Sequence, residues 1–366
     1  MLELAQLIAG LIFIAAALAR LEDYNSRSSH TLAEEYKLVE TGLPPEGIPS
    51  IDKPKFVNVR EAIKWLAERE PVMLLKYRGE ERGYPLQLMI WHEIVNDYFK
   101  NDPILLTFSA VSNSPAAYRR QVKGRTLYFG TSGKFSCGAT AIYDRQTGSL
   151  WQQFTGECIK GKFEGVKLES LPLSLISFRD FMESYPERKV LSRETGYQRK
   201  YGWSPYVGYG RADDPPYFYQ GRIDQRLLPK ERIIGIPNQE EAVAYPYSLL
   251  RQQGMRGVIQ EKVKKGPLVI FYSRGMNSVV DTASIRYSRD AGTAVALSPL
   301  KGGDELEFYP AKEGFKDTNT ESVWSITGRC LDGYYKGEEL QPFKHLSSFW
   351  FAWALHYPHT KIYKDI

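Results

Sequence analysis

The chain has 366 residues, a formal net charge of +5, 43% hydrophobic and 25% charged residues. That length holds two domains or one large one, and the composition is that of an ordinary globular protein with no low-complexity run. The mild charge argues against nucleic-acid binding, three cysteines cannot form a disulfide framework and match no zinc spacing, and 24 Tyr with 7 Trp favour sheets over a helical bundle.

In chain order, residues 4–19 are apolar apart from Gln6. As a helix they span about 24 Å at 1.5 Å per residue, short for a hydrocarbon core of roughly 30 Å but workable with local thinning. Ala17-Leu18-Ala19 has the form of a signal-peptidase site, yet Glu3 precedes the run and no Lys or Arg does, so the positive n-region is missing. The expectation is an uncleaved membrane anchor or signal-like helix over 1–21, followed by a polar tether over 22–47. Arg20, Arg27 and Lys37, read literally by the positive-inside rule, would keep the body cytoplasmic, but with Glu22 and Asp23 beside them the signal is small.

Leu43-Pro44-Pro45-Glu46-Gly47-Ile48-Pro49 opens the folded body. Asn58 is a good N-cap, with Glu61 three residues on, and predicts a helix over 61–70 that stops at Pro71. Residues 72–77 read as an apolar strand, turning at Arg78-Gly79-Glu80 into a second that ends at Tyr84-Pro85. The basic clusters Arg119-Arg120 with Lys123 and Arg125, and Lys262 with Lys264-Lys265, read as solvated strand ends and turns.

The chain then repeats itself. Residues 233–246 align without gaps on 72–85, residues 267–273 on 103–109, and Asn277-Ser278 on Asn113-Ser114. Asp144, Thr147, Ser149 and Trp151 recur at one constant spacing as Asp317, Thr320, Ser322 and Trp324, and the segment from Thr155 through Cys158 to Gly161 recurs from Thr327 through Cys330 to Gly333. Amphipathic helices are predicted over 174–185 and 346–357, each ending in Tyr-Pro. A repeat this long suits neither a solenoid nor a propeller. The expected fold is α+β: two pseudo-symmetric, mainly antiparallel β lobes from an internal duplication, at 48–194 and 231–366, with the N-terminal apolar helix in front. Between them, 195–230 is rich in Tyr and reads as a joint packed across both lobes rather than a flexible linker.

Ile48-Pro49-Ser50-Ile51-Asp52-Lys53-Pro54, Trp91-His92-Glu93-Ile94-Val95-Asn96-Asp97, Gly130-Thr131-Ser132-Gly133, Lys189-Val190-Leu191-Ser192 and Phe349-Trp350-Phe351-Ala352-Trp353, with the Asp144 motif, give the chain a resemblance to a known family. It resembles the uncharacterised family called domain of unknown function three-one-seven-nine over almost everything after Ile48. The resemblance implies an exported or membrane-anchored protein and no established reaction. Its members usually carry Cys-Pro-Leu-Cys-Asn after a strand, which would suit a metal or thiol redox centre. Here the matching residues are Ser109-Ala110-Val111-Ser112-Asn113, so both thiols are hydroxyls.

The candidate cleft residues are therefore His92, Glu93, Ser109, Ser112, Asn113 and His345, with Asp144 a further possibility for acid–base work. His92, His345 and Cys137 are the candidate metal ligands, for copper or iron. Cys158 and Cys330 read as buried packing residues, and His356 with His359 as a surface cluster. No phosphate loop, nucleophile elbow or dinucleotide fingerprint occurs. Two readings follow. The first is a membrane-anchored, non-catalytic accessory, scaffold or binding subunit, with no cofactor, an integral membrane protein as partner and the body outside the cytoplasm. The second is a metal-binding redox protein or metalloenzyme with its site between the lobes.

Overall fold

The computed structural model describes residues 38–238 and 240–364. The predicted apolar helix and the tether as far as residue 37 lie outside the described residues. Among those described, no helix is long and apolar enough to cross a membrane.

The chain is mostly β, an α+β fold of several antiparallel sheets and short helices. Among the described residues, three kinds of larger sheet each occur twice, beside a pair of two-stranded hairpins. In one, Leu173–Ser177, Pro71–Tyr77, Glu80–Pro85, Lys189–Leu191 and Phe56–Asn58 lie in that order. Its counterpart runs Leu346–Phe349, Arg232–Ile236, Val243–Pro246 and Lys361–Ile362. Both have one parallel pair, at Lys189–Leu191 and at Lys361–Ile362. The second kind is a three-stranded meander, Ile94–Phe99, Asp102–Ser109 and Ser114–Arg119, matched by Arg256–Val263, Gly266–Ser273 and Thr293–Leu297. The third carries the Asp144 and Asp317 turns, at the ends of Ala139–Asp144 and Phe315–Asp317.

The unbroken apolar run at 72–75 follows from burial on both faces, where a half-solvated strand would alternate. Met73 and Leu75 join a core with Tyr84, Leu88 and Leu106, while Val72 and Leu74 join a different one. That second core includes Phe178 and Phe181 together with Val269, Phe271, Val295 and Trp324, so it is built from both halves of the chain. Phe271 stacks on Phe315 at 4.1 Å and 3° within it.

Three expected helices are shorter than predicted. Asn58 caps as expected, its Oδ1 accepting from the Glu61 amide at 2.9 Å, but the helix covers only Val59–Ala62. The chain then turns, and the buried Glu70 carboxylate takes the Ala67 amide on the way into Pro71–Tyr77. Over 174–185 the first residues form the strand Leu173–Ser177, paired with Pro71–Tyr77, and only Phe178–Ser184 is helical. Ser177 is the cap, with Asp180 closing a reciprocal capping box. Over 346–357 the division is the same: strand Leu346–Phe349, then helix Trp350–His356.

The aromatic segment 195–230 contacts both halves. Tyr209 donates its hydroxyl to Val111 O at 2.7 Å, and the Gly210 amide donates to Val280 O at 2.8 Å. Tyr206, Tyr209, Phe218 and Tyr219 enter the same core as Phe349 and Phe351.

Candidate functional site

The helix Leu86–His92 starts directly after Pro85 and ends at Glu93, whose φ of 55° is left-handed. A bulky residue in that region costs of order 1 kcal/mol or more and is held there by its surroundings. Two adjacent polar side chains are thereby sent to different environments.

His92 is buried and engaged at both ring nitrogens. Nδ1 lies 2.7 Å from Pro49 O, so it carries the proton and donates; Nε2 then accepts from the Tyr201 hydroxyl at 2.7 Å. Tyr201 is bonded in turn to Thr195 at 2.6 Å, and the rings of Tyr197 and Tyr201 tilt against the imidazole. Burial pushes the imidazole down to about 4, so it stays neutral near neutral pH.

Glu93 turns inward onto a small cavity of about 30 Å³, lined also by Leu43, Val111, Thr131, Thr140, Tyr206 and Phe218. That is room for about one water. Burial raises its carboxyl to about 7, against a hydrogen bond from Thr140 that favours the ionised form. The Thr140 and Ser109 hydroxyls are 3.2 Å apart. The three groups form a short chain with two polarities. With Glu93 ionised, Thr140 donates to it and accepts a hydrogen bond from Ser109; with Glu93 protonated, the carboxyl O–H donates to Thr140, which donates to Ser109. A carboxyl poised near neutrality on a cavity is a common mark of a functional site.

The cavity is covered by residues 39–48, a strap laid across Phe129–Ser136. The Thr41 amide and hydroxyl both donate to Gly133 O, at 2.9 and 2.8 Å, and the Glu46 amide donates to Thr131 O at 2.9 Å. Gly133 has φ +71°, and a Cβ there would lie 2.0 Å from Leu43 O. The Gly130-Thr131-Ser132-Gly133 motif is therefore the seat of the strap. Its far end is pinned by Arg145, which bonds the Glu46 carboxylate at 2.7 and 3.0 Å and Asp52 at 2.6 Å. The sequence pointed to this motif through the resemblance alone; the strap it receives was not anticipated.

The other candidates are dispersed. Ser112 bonds Ser114 at 2.7 Å, and Ser114 donates to Gln153 at 3.0 Å. His345 donates from Nδ1 to Phe343 O at 2.8 Å, while its buried Nε2 has no protein partner. Cys137 lies 3.9 Å from His356 Nδ1, and the His356 ring stacks on Phe154 at 4.8 Å instead of standing free on the surface. Cys158 and Cys330 are buried, free thiols whose Sγ atoms donate to Lys160 O and Asp332 O.

Asp144 takes no part in the cleft. Its carboxylate accepts from the Thr147 amide at 2.7 Å, the Thr147 hydroxyl at 2.8 Å and Trp151 Nε1 at 3.0 Å. Asp317 does the same with Thr320 at 2.6 and 2.9 Å and Trp324 at 2.8 Å. Hydrogen bonds to a charged acceptor contribute about 1.5–3 kcal/mol each, so these turns are folding devices.

The donors near the Ser109 loop do not fit a soft metal: hydroxyls replace the thiols, and His92 is committed to Pro49 and Tyr201. Among the described residues, no group of three or more His, Cys, Asp or Glu side chains stands where it could hold a metal ion. A family model described as "Protein of unknown function (DUF3179)" matches residues 45–360. No curated protein and no solved structure matches the chain.

Proposed function

This chain belongs to the DUF3179 family, and we propose that it is a membrane-anchored, non-catalytic binding subunit of a membrane-associated assembly, its body outside the cytoplasm. The observation that carries this reading is the strap. Residues 39–48 cover the Glu93 cavity and continue backward, within a short distance along the chain, into the apolar segment 4–19. Whatever that segment engages pulls on a cover that is held by a few backbone bonds, the Thr41 hydroxyl and the Arg145–Glu46 pair. Occupancy of the cavity and attachment at the N-terminus are then coupled through one piece of chain, an arrangement suited to an accessory subunit.

We further propose that the body arose by internal duplication. Support comes from the paired sheets and from the same set of hydrogen bonds around Asp144 and Asp317. The singly occurring features, Glu93 with its hydroxyl chain and the strap, are then where binding evolved.

Fractionation of cells expressing the full chain tests the anchor. The account expects it to stay in the membrane pellet through alkaline carbonate extraction and to be released by detergent. Recovery in the carbonate supernatant would contradict it.

A further inference from the structure

A second cavity, of about 80 Å³, lies where the Ser109 loop, the aromatic joint and the second half of the chain meet. It is lined by Asn113, Lys230, Arg232, Arg251, Ser278 and Arg289, with Glu231 the one carboxylate on its wall. Glu231 is already used: its Oε1 accepts the Ser248 amide, at 2.8 Å, in the first turn of the helix Tyr247–Gln252. Arg289 is neutralised by Asp281 at 2.5 Å and also donates to Gly210 O.

The other three cations have no such balance. Lys230, 2% exposed, donates to Tyr209 O and sits 4.1 Å over the Tyr209 ring. Arg251 donates to the carbonyls of Asp290 and Ala291 at 3.0 and 3.1 Å. Arg232 lies over the Tyr247 ring at 5.5 Å and makes no side-chain hydrogen bond among the described residues. None of the three has a carboxylate partner within 4.0 Å among those residues; the nearby Asp213 and Asp214 face Arg211, at 3.6 Å each. Lys230 is buried and the two arginines are half-buried; taking charge out of water is costly, and an anion in the cavity would repay it.

Asn113 completes the site. It is 3% exposed, has φ +50°, and, while its backbone N–H donates to Ala110 O, its side-chain amide makes no hydrogen bond among the described residues. Its repeat counterpart, Asn277, instead spends its amide on Ile285 O and Arg286 O, at 3.0 and 2.7 Å. Asn113 lines the cavity beside the cations, and its side-chain amide is left available to a ligand there.

We infer that this cavity binds a small oxyanion of the phosphate class, held by the Arg232 and Arg251 guanidinium groups, Lys230 and the Asn113 amide. Guanidinium groups approaching from different elements suit a compact anion with several acceptor oxygens. Burial pulls the Lys230 ammonium down to about 8, against the opposing attraction of Asp214, Asp213 and Asp281.

Calorimetric titration of the full chain with inorganic phosphate, in chloride buffer of matched ionic strength, provides the test. A phosphate monoester in a parallel titration separates a free ion from a terminal group. One saturable phosphate per chain is expected, weakened at least tenfold in Arg232→Gln. Asn113→Asp, which places a fixed negative charge in the cavity, should abolish binding without lowering the melting temperature, and it serves if Arg232→Gln does not fold. The inference is overturned if folded wild-type protein binds phosphate no better than chloride, or if a folded variant binds it unchanged.

Discussion

Glu93 and His92 are adjacent in sequence and were legible as a polar pair inside an apolar stretch. The left-handed turn at Glu93 was not, because it depends on where the next strand, Ile94–Phe99, has to go. The pair is split, and only Glu93 titrates near neutrality. Its carboxyl rises from 4.5 to about 7 on burial. Between those values the folded chain holds a proton that the unfolded chain has released, so stability falls as pH rises through the window. At about 1.4 kcal/mol per unit this is roughly 3 kcal/mol. Glu70, also raised to about 7 by burial, adds in the same direction. Urea unfolding of wild type and Glu93→Gln at pH 5 and pH 8 checks this. Wild type should lose more stability between the two pH values, by roughly 2–3 kcal/mol; parallel losses would show that Glu93 is not desolvated. Arg120 gives a second lesson at this scale. In sequence it belongs to a basic cluster of the kind that is usually solvated. In the fold it is fully buried between the Tyr98 and Tyr128 rings, 4.4 Å from each, and donates to the carbonyls of Ile104, Leu127 and Asp97. Nothing local in the sequence announces those partners.

At the scale of elements, periodicity located the segments and misjudged where strand gives way to helix. The stretches 174–185 and 346–357 each carry an apolar pattern that continues from a paired strand into a helix, and the helical period was assigned to both parts. In the first stretch the boundary is set by the Ser177–Asp180 capping box, a short signal inside a longer pattern. Strands flanked by strong turns, such as Pro71–Tyr77 and Glu80–Pro85, were legible nearly to the residue. The strap was illegible because its partner strand lies about ninety residues further on, as the Thr41–Gly133 bond records. Gly133→Ala tests its seat. The substitution adds a Cβ in a left-handed conformation, at a cost of about 1–2 kcal/mol, and drives Leu43 away. Hydrogen exchange at the Thr41 and Glu46 amides should quicken at least tenfold, with the Asp144 turn unchanged. Unaltered exchange at those two amides would mean that the strap is held by something other than this seat.

At the scale of the whole molecule, the repeats read as two lobes, while the packing couples them more closely. One core takes Phe178 and Phe181 from the first half and Phe271 and Trp324 from the second, and the Tyr-rich segment seals another. The repeated motifs account for how each half folds. The features that occur once, the strap over Glu93 and the cationic cavity at Asn113, are where the proposed binding roles reside. The proposal of an anchored body outside the cytoplasm has a direct test, because the three native cysteines are buried and none is in a disulfide. Tyr334, 80% exposed, can be replaced by Cys as a reporter. Intact cells expressing full-length Tyr334→Cys are treated with a membrane-impermeant maleimide, and membrane-bound protein is then assayed for label. The account predicts labelling of the membrane-bound variant without lysis and none of the wild type. Labelling that appears only after lysis would place the body in the cytoplasm and contradict it.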